Sequence, residues 1–256
     1  MELIELSDLS LPELQVYRSM RDNVVNADNS FIADSPKVVS LLIENGCKIR
    51  SILAVESFYM EQKELLKGIE AQFFLASKDQ MKKLTGFNIH HGVMMHGVRP
   101  VPLEVDQLDD KIVMLDTFSK NDNVGAIART AAAFGVKSLL VPDQGPHPYG
   151  RRALRVSMGY ISMMNYSVYL NQLETIKRLK TLGYVIIGIE ADSRAIELKD
   201  YVVPSKWVMI LGNEGQGLRE ETIQYCDVLV KLDMQPGVKS LNVGAAAAVV
   251  MYHFCN

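Results

Sequence analysis

Residues Met234–Tyr252 read MQPGVKSLNVGAAAAVVMY, and this stretch decides the fold that the sequence predicts. Pro236 and Gly237 indicate a tight turn, because proline presets φ and glycine adopts the left-handed conformation without steric cost. Ser240 and Asn242 follow this turn. Their side-chain oxygens are suited to cap the free N–H groups at the start of a helix.

The helix that begins here contains the run Gly244–Ala248, which carries almost no side chain. Alanine favours helix formation, and a surface this flat also allows another backbone to approach closely. A helix buried against a sheet has a similar composition. Two interpretations therefore stay open for this run, an ordinary core helix and a close backbone contact.

A second stretch, WVMILGNEGQGL at Trp207–Leu218, predicts an apolar strand followed by a glycine-rich loop. The glycines are spaced G-x-x-G-x-G, which differs from the G-x-G-x-x-G of a dinucleotide site. No acidic residue follows the loop on a second strand at the ribose-binding distance. The loop is either a plain tight turn between a strand and a helix or a ligand-binding loop of another kind.

A third stretch, NDNVGAIARTAAAFG at Asn121–Gly135, predicts a helix with Asn123 as its N-cap. Arg129 lies in the body of this helix among alanines and a threonine. Since such small neighbours cannot bury a guanidinium, Arg129 is predicted to project into a cleft. A surface arginine or an ion pair between subunits is the alternative.

In their order along the chain and in their spacing, the three stretches resemble the three sequence motifs of the SpoU (TrmH-like) RNA ribose methyltransferases of the SPOUT superfamily. The resemblance covers the chain from about Lys111 to its end. The first motif matches at Asn123, Gly125, Arg129 and Gly135, and the second at Gly212, Glu214, Gly215 and Gly217. The third motif matches at Ser240, Leu241, Asn242, Val243 and Ala245.

The resemblance implies an α/β fold with a mostly parallel sheet and a C-terminal trefoil knot, a connection that is otherwise nearly absent from proteins. Alternating strand and helix patterns beyond residue 110 also favour a mostly parallel sheet covered on both faces. The resemblance further implies S-adenosylmethionine as the cofactor. Backbone groups at Gly212, Leu232 and Leu241 are expected to hold it.

The reaction implied by the resemblance is in-line methyl transfer from a sulfonium to a ribose 2′-oxygen of ribosomal or transfer RNA. The catalytic residues carried over are Asn123, Arg129, Glu214, Ser240 and Asn242. The resemblance makes Arg129 the base, although arginine normally stays protonated. A guanidinium that clamps the adjacent phosphate and favours an alkoxide is equally compatible. Glu214 is expected to orient Arg129, and Asn242 to hold the ribose or the carboxylate of the cofactor.

The first hundred residues also alternate strand and helix patterns, which predicts a small α/β domain at residues 1–103 before a catalytic domain at residues 104–256. The first domain resembles the small RNA-binding domain, related to ribosomal proteins, that precedes the catalytic domain in many SpoU enzymes. It has Asp34-Ser35 where that domain usually has Glu-Gly after its first strand. Pro100–Asp110 is the predicted linker.

The segment Pro146–Tyr160 joins two predicted strands and is interpreted as an active-site loop and helix. Its R-x-S-x-G sequence at Arg155–Gly159 resembles one that SpoU proteins carry between the first and second motifs. Together with Arg151 and Arg152, it forms the best basic cluster of the chain. The cluster is either an RNA contact or a charged turn on a solvated helix face.

Composition narrows the class of protein. The formal net charge of −3, nearly balanced within both predicted domains, does not indicate a general polyanion binder. Three cysteines without a C-x-x-C pair predict a reduced, cytoplasmic protein. The N-terminus lacks the basic region of a signal peptide, and no apolar run is long enough to cross a bilayer. His90, His91 and His96 fit no zinc spacing, so no metal is expected.

The resemblance also implies a homodimer through the first-motif helix and the C-terminal helix, in which the partner subunit helps to complete the active site. Two other functions stay open at this point. A non-catalytic RNA-binding protein could retain the fold, although all five polar motif residues are present. A nucleotide-dependent enzyme could use the glycine loop for phosphates, although the glycine spacing is wrong and the P-loop lysine is missing.

Overall fold

The structure is a computed structural model that describes residues 2–18, 28–213, 215–238 and 240–256. By their contacts, the residues divide into two compact units. The first comprises Met1–Val101 with Tyr149–Ser162, and the second comprises Pro102–Pro148 with Met163–Asn256. The predicted division at residue 103 does not include the segment Tyr149–Ser162 in the first unit.

Strands and helices alternate along the first hundred residues, as the sequence predicts. The strands are β1 (Glu2–Glu5), β2 (Ser30–Asp34), β3 (Ile49–Ala54), β4 (Gln72–Leu75) and β5 (Val93–Val98). The helices are α1 (Gln15–Arg18), α2 (Pro36–Glu44), α3 (Glu56–Glu61), α4 (Lys63–Leu66) and α5 (Lys78–Thr85). The described strands form a mixed sheet in the order β1-β4-β3-β5-β2.

Beyond residue 110 the elements again alternate. In chain order they are β6 (Lys111–Leu115), α6 (Asn121–Ala133), β7 (Ser138–Pro142), α7 (Arg151–Val156), β8 (Asn165–Tyr169), α8 (Gln172–Thr181), β9 (Val185–Ile189), β10 (Ile196–Glu197), β11 (Trp207–Leu211), α9 (Glu220–Tyr225), β12 (Val228–Lys231) and α10 (Val243–Cys255). Of these, α7 belongs to the first unit, and the others belong to the second.

The sheet of the second unit has the order β10-β12-β9-β11-β6-β7-β8, and every pairing among its described strands is parallel. All residues of the central strand β11 are buried. Such a continuous apolar run is typical of a parallel strand that is covered on both faces. The predicted α/β fold with a mostly parallel sheet is confirmed, whereas the trefoil knot stays a prediction.

Each unit has its own hydrophobic core. In the first unit, buried side chains from the sheet pack with those of α1 and α5, among them Tyr17, Leu53, Phe74 and Met81. In the second unit, buried side chains from the sheet pack with those of α8, among them Ile112, Ile176, Ile186 and Ile210.

Local sequence signals explain where the helices of the first unit begin and end. Helix α2 has Pro36 in its first turn and is followed by Gly46 at φ +72°, as is common at helix boundaries. Helix α5 begins with a capping box. The Ser77 hydroxyl accepts from the N–H of Gln80 at 3.2 Å, and the Gln80 side chain accepts from the N–H of Ser77 at 2.7 Å.

Some elements differ from those predicted. The sequence pattern over residues 61–69 predicts a single helix, but the structure has α3 and α4 instead, and Gly68 at φ +78° follows the second of them. The sequence pattern over residues 12 to about 21 also predicts a helix, and in the structure it begins as a 3-10 helix at Pro12–Leu14 and continues as α1. Its last predicted turn lies outside the described residues. Strands β1, β8 and β10 add to the predicted elements.

Ion pairs hold α7 within the first unit. Arg151 and Arg155, one helical turn apart, donate from their Nε atoms to the buried carboxylate of Asp34 at 2.8 and 3.0 Å. Next to this helix, the rings of Phe31 and Tyr149 lie 5.3 Å apart. The basic cluster that the sequence singled out therefore has an acidic partner within its own unit.

Candidate functional site

A cavity of about 290 Å³ lies in the second unit at the carboxyl ends of β9, β11 and β12. Ligands bind at this edge of open parallel sheets, because the loops that leave the strands there surround a crevice. Three loops contribute to the lining. They supply Glu190 after β9, Gly212 and Gly217 after β11, and Leu232, Ser240 and Leu241 between β12 and α10.

The glycine loop, residues 212–217, closes on itself through contacts that require glycine. Asn213 and Gly217 exchange backbone hydrogen bonds of 3.0 and 2.9 Å. A Cβ on Gly212 would lie 2.3 Å from the carbonyl carbon of Gly217, and Gly217 has φ +70°. The loop therefore presents bare backbone to the cavity, and a side chain at either glycine would disrupt its shape.

Asn213 ties the glycine loop to the turn after β6. Its Nδ2 donates to the carbonyl of Thr117 at 2.7 Å, and its Oδ1 accepts from the N–H of Gly215 at 2.9 Å. Thr117 has φ +48°, which is rare for a β-branched residue. The strained turn thus aims its carbonyl at the loop, a contact that no local sequence pattern announces.

Glu190 joins its own loop to the glycine loop. Its Oε2 accepts from the N–H of Leu218 at 2.7 Å, and its Oε1 accepts from the N–H of Ala191 at 3.1 Å. A Cβ on Gly217 would lie 2.4 Å from Oε2, so the carboxylate packs against the loop backbone. Sequence reasoning did not single out Glu190. Its available signal is an acidic residue directly after an apolar strand.

Asn242 caps α10 and reaches the first-motif helix. Its Oδ1 accepts from the N–H groups of Gly244 and Ala245 at 2.9 and 3.3 Å, which confirms the predicted capping role. Its Nδ2 donates to Oδ1 of Asn123 at 3.1 Å. The prediction that Asn123 is the N-cap of its helix is wrong. Helix α6 begins at Asn121, and Asn123 is buried in its first turn, where its amide bonds α10 instead.

Small residues let α6 and α10 approach each other closely. A Cβ on Gly244 would lie 3.2 Å from the Cβ of Ala126, a distance shorter than ordinary contacts allow. Helix α10 therefore passes near α6 at a position where no side chain intervenes. This agrees with the interpretation of the alanine-rich run as a close backbone contact.

Two of the other predicted catalytic residues, Arg129 and Ser240, belong to the described part of the chain. Arg129 is exposed in the body of α6, and within the described part of the chain its guanidinium forms no hydrogen bond or ion pair. Ser240 is exposed and lines the cavity. Glu214 lies outside the described residues, so its expected contact with Arg129 stays a prediction. The residues expected to hold the cofactor, Gly212, Leu232 and Leu241, all line the cavity.

A buried polar cluster fixes the helix that follows the glycine loop. Asp116, directly after β6, is fully buried, and its Oδ2 accepts from the hydroxyl of Thr222 at 3.1 Å. Its Oδ1 lies 3.3 Å from the guanidinium of Arg219, which also donates to the side chain of Gln172. The cluster connects the start of α9 to the sheet and was not predicted.

Neither a metal-binding cluster nor a membrane-spanning helix occurs within the described ranges of the chain. Within these ranges no group of three or more histidine, cysteine, aspartate or glutamate side chains is arranged to hold a metal ion. The same ranges contain no helix long and apolar enough to span a bilayer. Cys47, Cys226 and Cys255 are free thiols, and burial raises the pKa of Cys47 to about 11 and that of Cys226 to about 12.

The loops that line the cavity lie within a span of the chain that matches a known protein family. The sequence profile of the SpoU rRNA Methylase family matches residues 110–252. The chain belongs to the SpoU rRNA methylase family. In this SpoU protein the matched span includes the glycine loop, the first-motif helix and the Asn242 cap of α10, so one family pattern covers the whole cavity.

Relatives and solved structures extend the comparison. The SpoU protein is 31% identical to the 23S rRNA (guanosine-2′-O-)-methyltransferase RlmB of Acinetobacter baylyi, over 70% of this chain and 76% of that protein. Its fold is similar to that of the AdoMet-bound rRNA methyltransferase of Sinorhizobium meliloti, with a TM-score of 0.81 and 19% identity over 98% and 97% of the chains. The SpoU methyltransferase AviRb of Streptomyces viridochromogenes, in complex with AdoMet, gives a TM-score of 0.79 and 21% identity over 95% and 96%.

Proposed function

We propose that this protein is an RNA (ribose-2′-O)-methyltransferase that uses S-adenosylmethionine to methylate ribosomal or transfer RNA. The observation that carries the proposal is the cavity at the carboxyl ends of β9, β11 and β12, where Gly212 and Gly217 leave the loop backbone bare. This cavity lies within the span that matches the SpoU family. The activity named for the Acinetobacter baylyi relative supports RNA as the substrate class.

The lining of the cavity suits S-adenosylmethionine. Bare backbone at Gly212 and Gly217 lets N–H and C=O groups approach an adenosine. A Cβ on Gly212 would collide with the backbone of Gly217, and one on Gly217 with the carboxylate of Glu190, so either would displace the loop. Leu232 and Leu241 also line the cavity, and their backbone groups are proposed to hold the cofactor. The cavity volume lies near the lower end of the range of about 300–1,000 Å³ that is usual for small-molecule sites.

When bound, S-adenosylmethionine supplies a methyl group that is already activated by the positive charge of its sulfonium. The residues of the chain must hold the ribose hydroxyl in line and stabilise the charge that develops on its oxygen. We assign this role to Arg129, whose exposed guanidinium suits a clamp on the phosphate next to the reacting ribose. Because arginine stays protonated, stabilisation of an alkoxide is its proposed role, and Glu214 is proposed to orient it.

Asn123 and Asn242 have a positioning role in this proposal. The amide of Asn242 already serves two N–H groups of α10 and the side chain of Asn123. The pair therefore sets the start of α10, and with it Ser240 and Leu241, relative to the helix that carries Arg129. Ser240 lines the cavity and is proposed to contact the ribose or the cofactor.

We further propose that the protein forms a homodimer through α6 and α10. Helix α10 exposes Ala245, Val249 and Tyr252 on one face, and the last two are 47% and 63% exposed. An apolar stripe of this kind on a helix favours burial against another surface. A second copy of the chain is the proposed occupant, and its residues would complete the site. The first unit is proposed to bind the RNA substrate, and the proposed substrates favour a cytoplasmic location.

Ligand-dependent melting tests the proposed function. S-adenosylmethionine or its demethylated product should raise the melting temperature, because a ligand at a hundred times its Kd stabilises the folded state by about 2.7 kcal/mol. NAD and ATP at the same concentration should leave it unchanged. A response to NAD or ATP alone, or to none of the ligands, would contradict the proposal.

A further inference from the structure

Glu190 places a carboxylate in the wall of the cavity that the proposed methyl transfer does not use. It follows β9 directly, and β9 pairs with the central strand β11 that leads into the glycine loop. Each carboxylate oxygen accepts one backbone N–H, Oε2 from Leu218 at 2.7 Å and Oε1 from Ala191 at 3.1 Å. Among the residues that the structure describes, no ion pair neutralises Glu190.

The two hydrogen bonds and the loop backbone fix the position of this carboxylate. Because a Cβ on Gly217 would lie 2.4 Å from Oε2, the group rests directly on the glycine loop. An ionised carboxylate has about four acceptor positions on its two oxygens. With one N–H on each oxygen, Glu190 retains acceptor capacity on both, on a rigid group that lines the cavity.

Two adjacent acceptors of this kind match two hydroxyl groups on neighbouring carbons, as in the 2′,3′-diol of a ribose. An acidic residue that follows a strand and accepts from ribose hydroxyls is a known solution in dinucleotide sites. In this chain the acidic residue precedes the glycine loop in sequence and reaches it through the pairing of β9 with β11. A search for an acidic residue after the loop therefore misses Glu190.

We infer that Glu190 accepts hydrogen bonds from the ribose hydroxyls of S-adenosylmethionine and so selects a cofactor with an intact diol. The inference rests on the proposed function, which supplies the ligand. The cofactor also has an ammonium group, but Glu190 packs against the same bare backbone at Gly217 that is proposed to hold the adenosine. The ribose is therefore the part of the ligand that lies within its reach.

Calorimetry on the full chain tests the inference without requiring methyl transfer. The probes are S-adenosylhomocysteine and its 2′-deoxy and 3′-deoxy analogues. Since a hydrogen bond to a charged group contributes about 1.5–3 kcal/mol, the wild type should bind each deoxy analogue about 10- to 100-fold more weakly. In Glu190→Gln, affinity for S-adenosylhomocysteine should fall, and the preference for the intact diol should shrink to about threefold or less.

Glu197→Gln is the matched control. It removes one carboxylate from β10, where Glu197 pairs with Lys199 away from the cavity lining. This variant should keep the wild-type affinity and the wild-type preference for the intact diol. If Glu190→Gln fails to fold, as thermal melting would reveal, equal binding of the three ligands by the wild type would still overturn the inference.

The outcomes separate the inference from the proposed function. If the wild type binds S-adenosylhomocysteine and both deoxy analogues equally well, the ribose assignment is wrong and the proposed function stands. If Glu190→Gln keeps the wild-type preference for the intact diol, or loses instead the discrimination against an analogue without the amino group, the ribose assignment is again wrong. If S-adenosylhomocysteine does not bind to the wild type, the proposed function fails and this inference fails with it.

Discussion

Replacing Gly212 by alanine tests whether the bare glycine backbone forms the cofactor site. The new Cβ would lie 2.3 Å from the carbonyl carbon of Gly217 and 2.4 Å from the amide nitrogen of Leu218. Non-bonded heavy atoms prefer separations of about 3.5–4.0 Å, so the facing backbone segments must separate by roughly 1 Å. Backbone cannot rotate away as the end of a flexible side chain can.

A separation of this size breaks the two hydrogen bonds by which Asn213 and Gly217 close the loop. Each bond contributes about 0.5–1.5 kcal/mol net, so the closed loop loses about 1–3 kcal/mol. If ligand binding must restore the closed loop, affinity for S-adenosylhomocysteine falls about 5- to 150-fold. Isothermal titration calorimetry with the purified variant measures this loss directly.

Gly215→Ala is the control within the same loop. The nearest atom to its new Cβ is Oδ1 of Asn213 at 3.7 Å, which is an ordinary contact. The loop of this variant should stay closed, so its affinity for S-adenosylhomocysteine should fall less than that of Gly212→Ala. If Gly212→Ala and Gly215→Ala have equal affinities close to that of the wild type, the glycine loop does not form the cofactor site, and the reasoning is refuted.

Three further predictions concern catalysis, pH and assembly. Arg129→Ala should lower the single-turnover methyl-transfer rate by about 10²–10³-fold and leave the cofactor affinity unchanged. Arg129→Lys should restore little of this rate, because the point charge of an ammonium lacks the planar fork of a guanidinium. A wild-type rate in the alanine variant would mean that Arg129 has a structural role. Burial and the nearby Arg50 lower the pKa of His96 from 6.5 to about 4, so its neutral form is retained on folding. The contribution of neutral His96 to the free energy of unfolding should therefore be fully present above pH 7 and decrease as the pH falls from 6.5 towards 4, with about 2 kcal/mol lost at pH 5. Urea unfolding at pH 7 and at pH 5 measures this loss, and His96→Asn should remove it. In sedimentation, Val249→Asp should convert the dimer into a monomer of 28.6 kDa. Leu170→Asp should not, because Leu170 is 84% exposed at a site outside α6 and α10. A monomeric wild type at micromolar concentration would contradict the proposed dimer.

Elements whose local signals agree with their surroundings could be predicted from the sequence. The sequence predicts a helix at Pro36–Glu44, which are the observed bounds of α2, because Pro36 and Gly46 mark its ends. Strand β11 is an uninterrupted apolar run, as a strand covered on both faces requires. In both cases the residues themselves carry the information.

Elements that depend on distant partners could not be predicted in this way. Strand β8 contains Asn165 and Ser167, which interrupt its apolar pattern, yet Ser167 is buried because the strand pairs with β7. Strand β10 has only two residues and is defined by its pairing with β12. The placement of α7 in the first unit depends on Asp34, more than a hundred residues earlier in the chain.

The candidate site likewise contains residues that were predicted from the sequence and contacts that were not. The resemblance to the SpoU family supplied Gly212, Leu232 and Leu241 as the residues expected to hold the cofactor, and all three line the cavity. The bond between Asn123 and Asn242 and the bond from Leu218 to Glu190 connect separate loops. The three-dimensional course of the chain brings these partners together, and residue spacing does not encode it.

Mapping of alkali-resistant linkages tests the central claim most directly. A 2′-O-methyl group blocks the attack of the 2′-hydroxyl on the neighbouring phosphate, and only RNA has this hydroxyl. Total ribosomal and transfer RNA incubated with the protein and S-adenosylmethionine should acquire an alkali-resistant linkage at one position. Arg129→Ala should not produce it. Identical maps with and without the protein, under conditions in which calorimetry shows cofactor binding, would contradict methyl transfer to these RNAs.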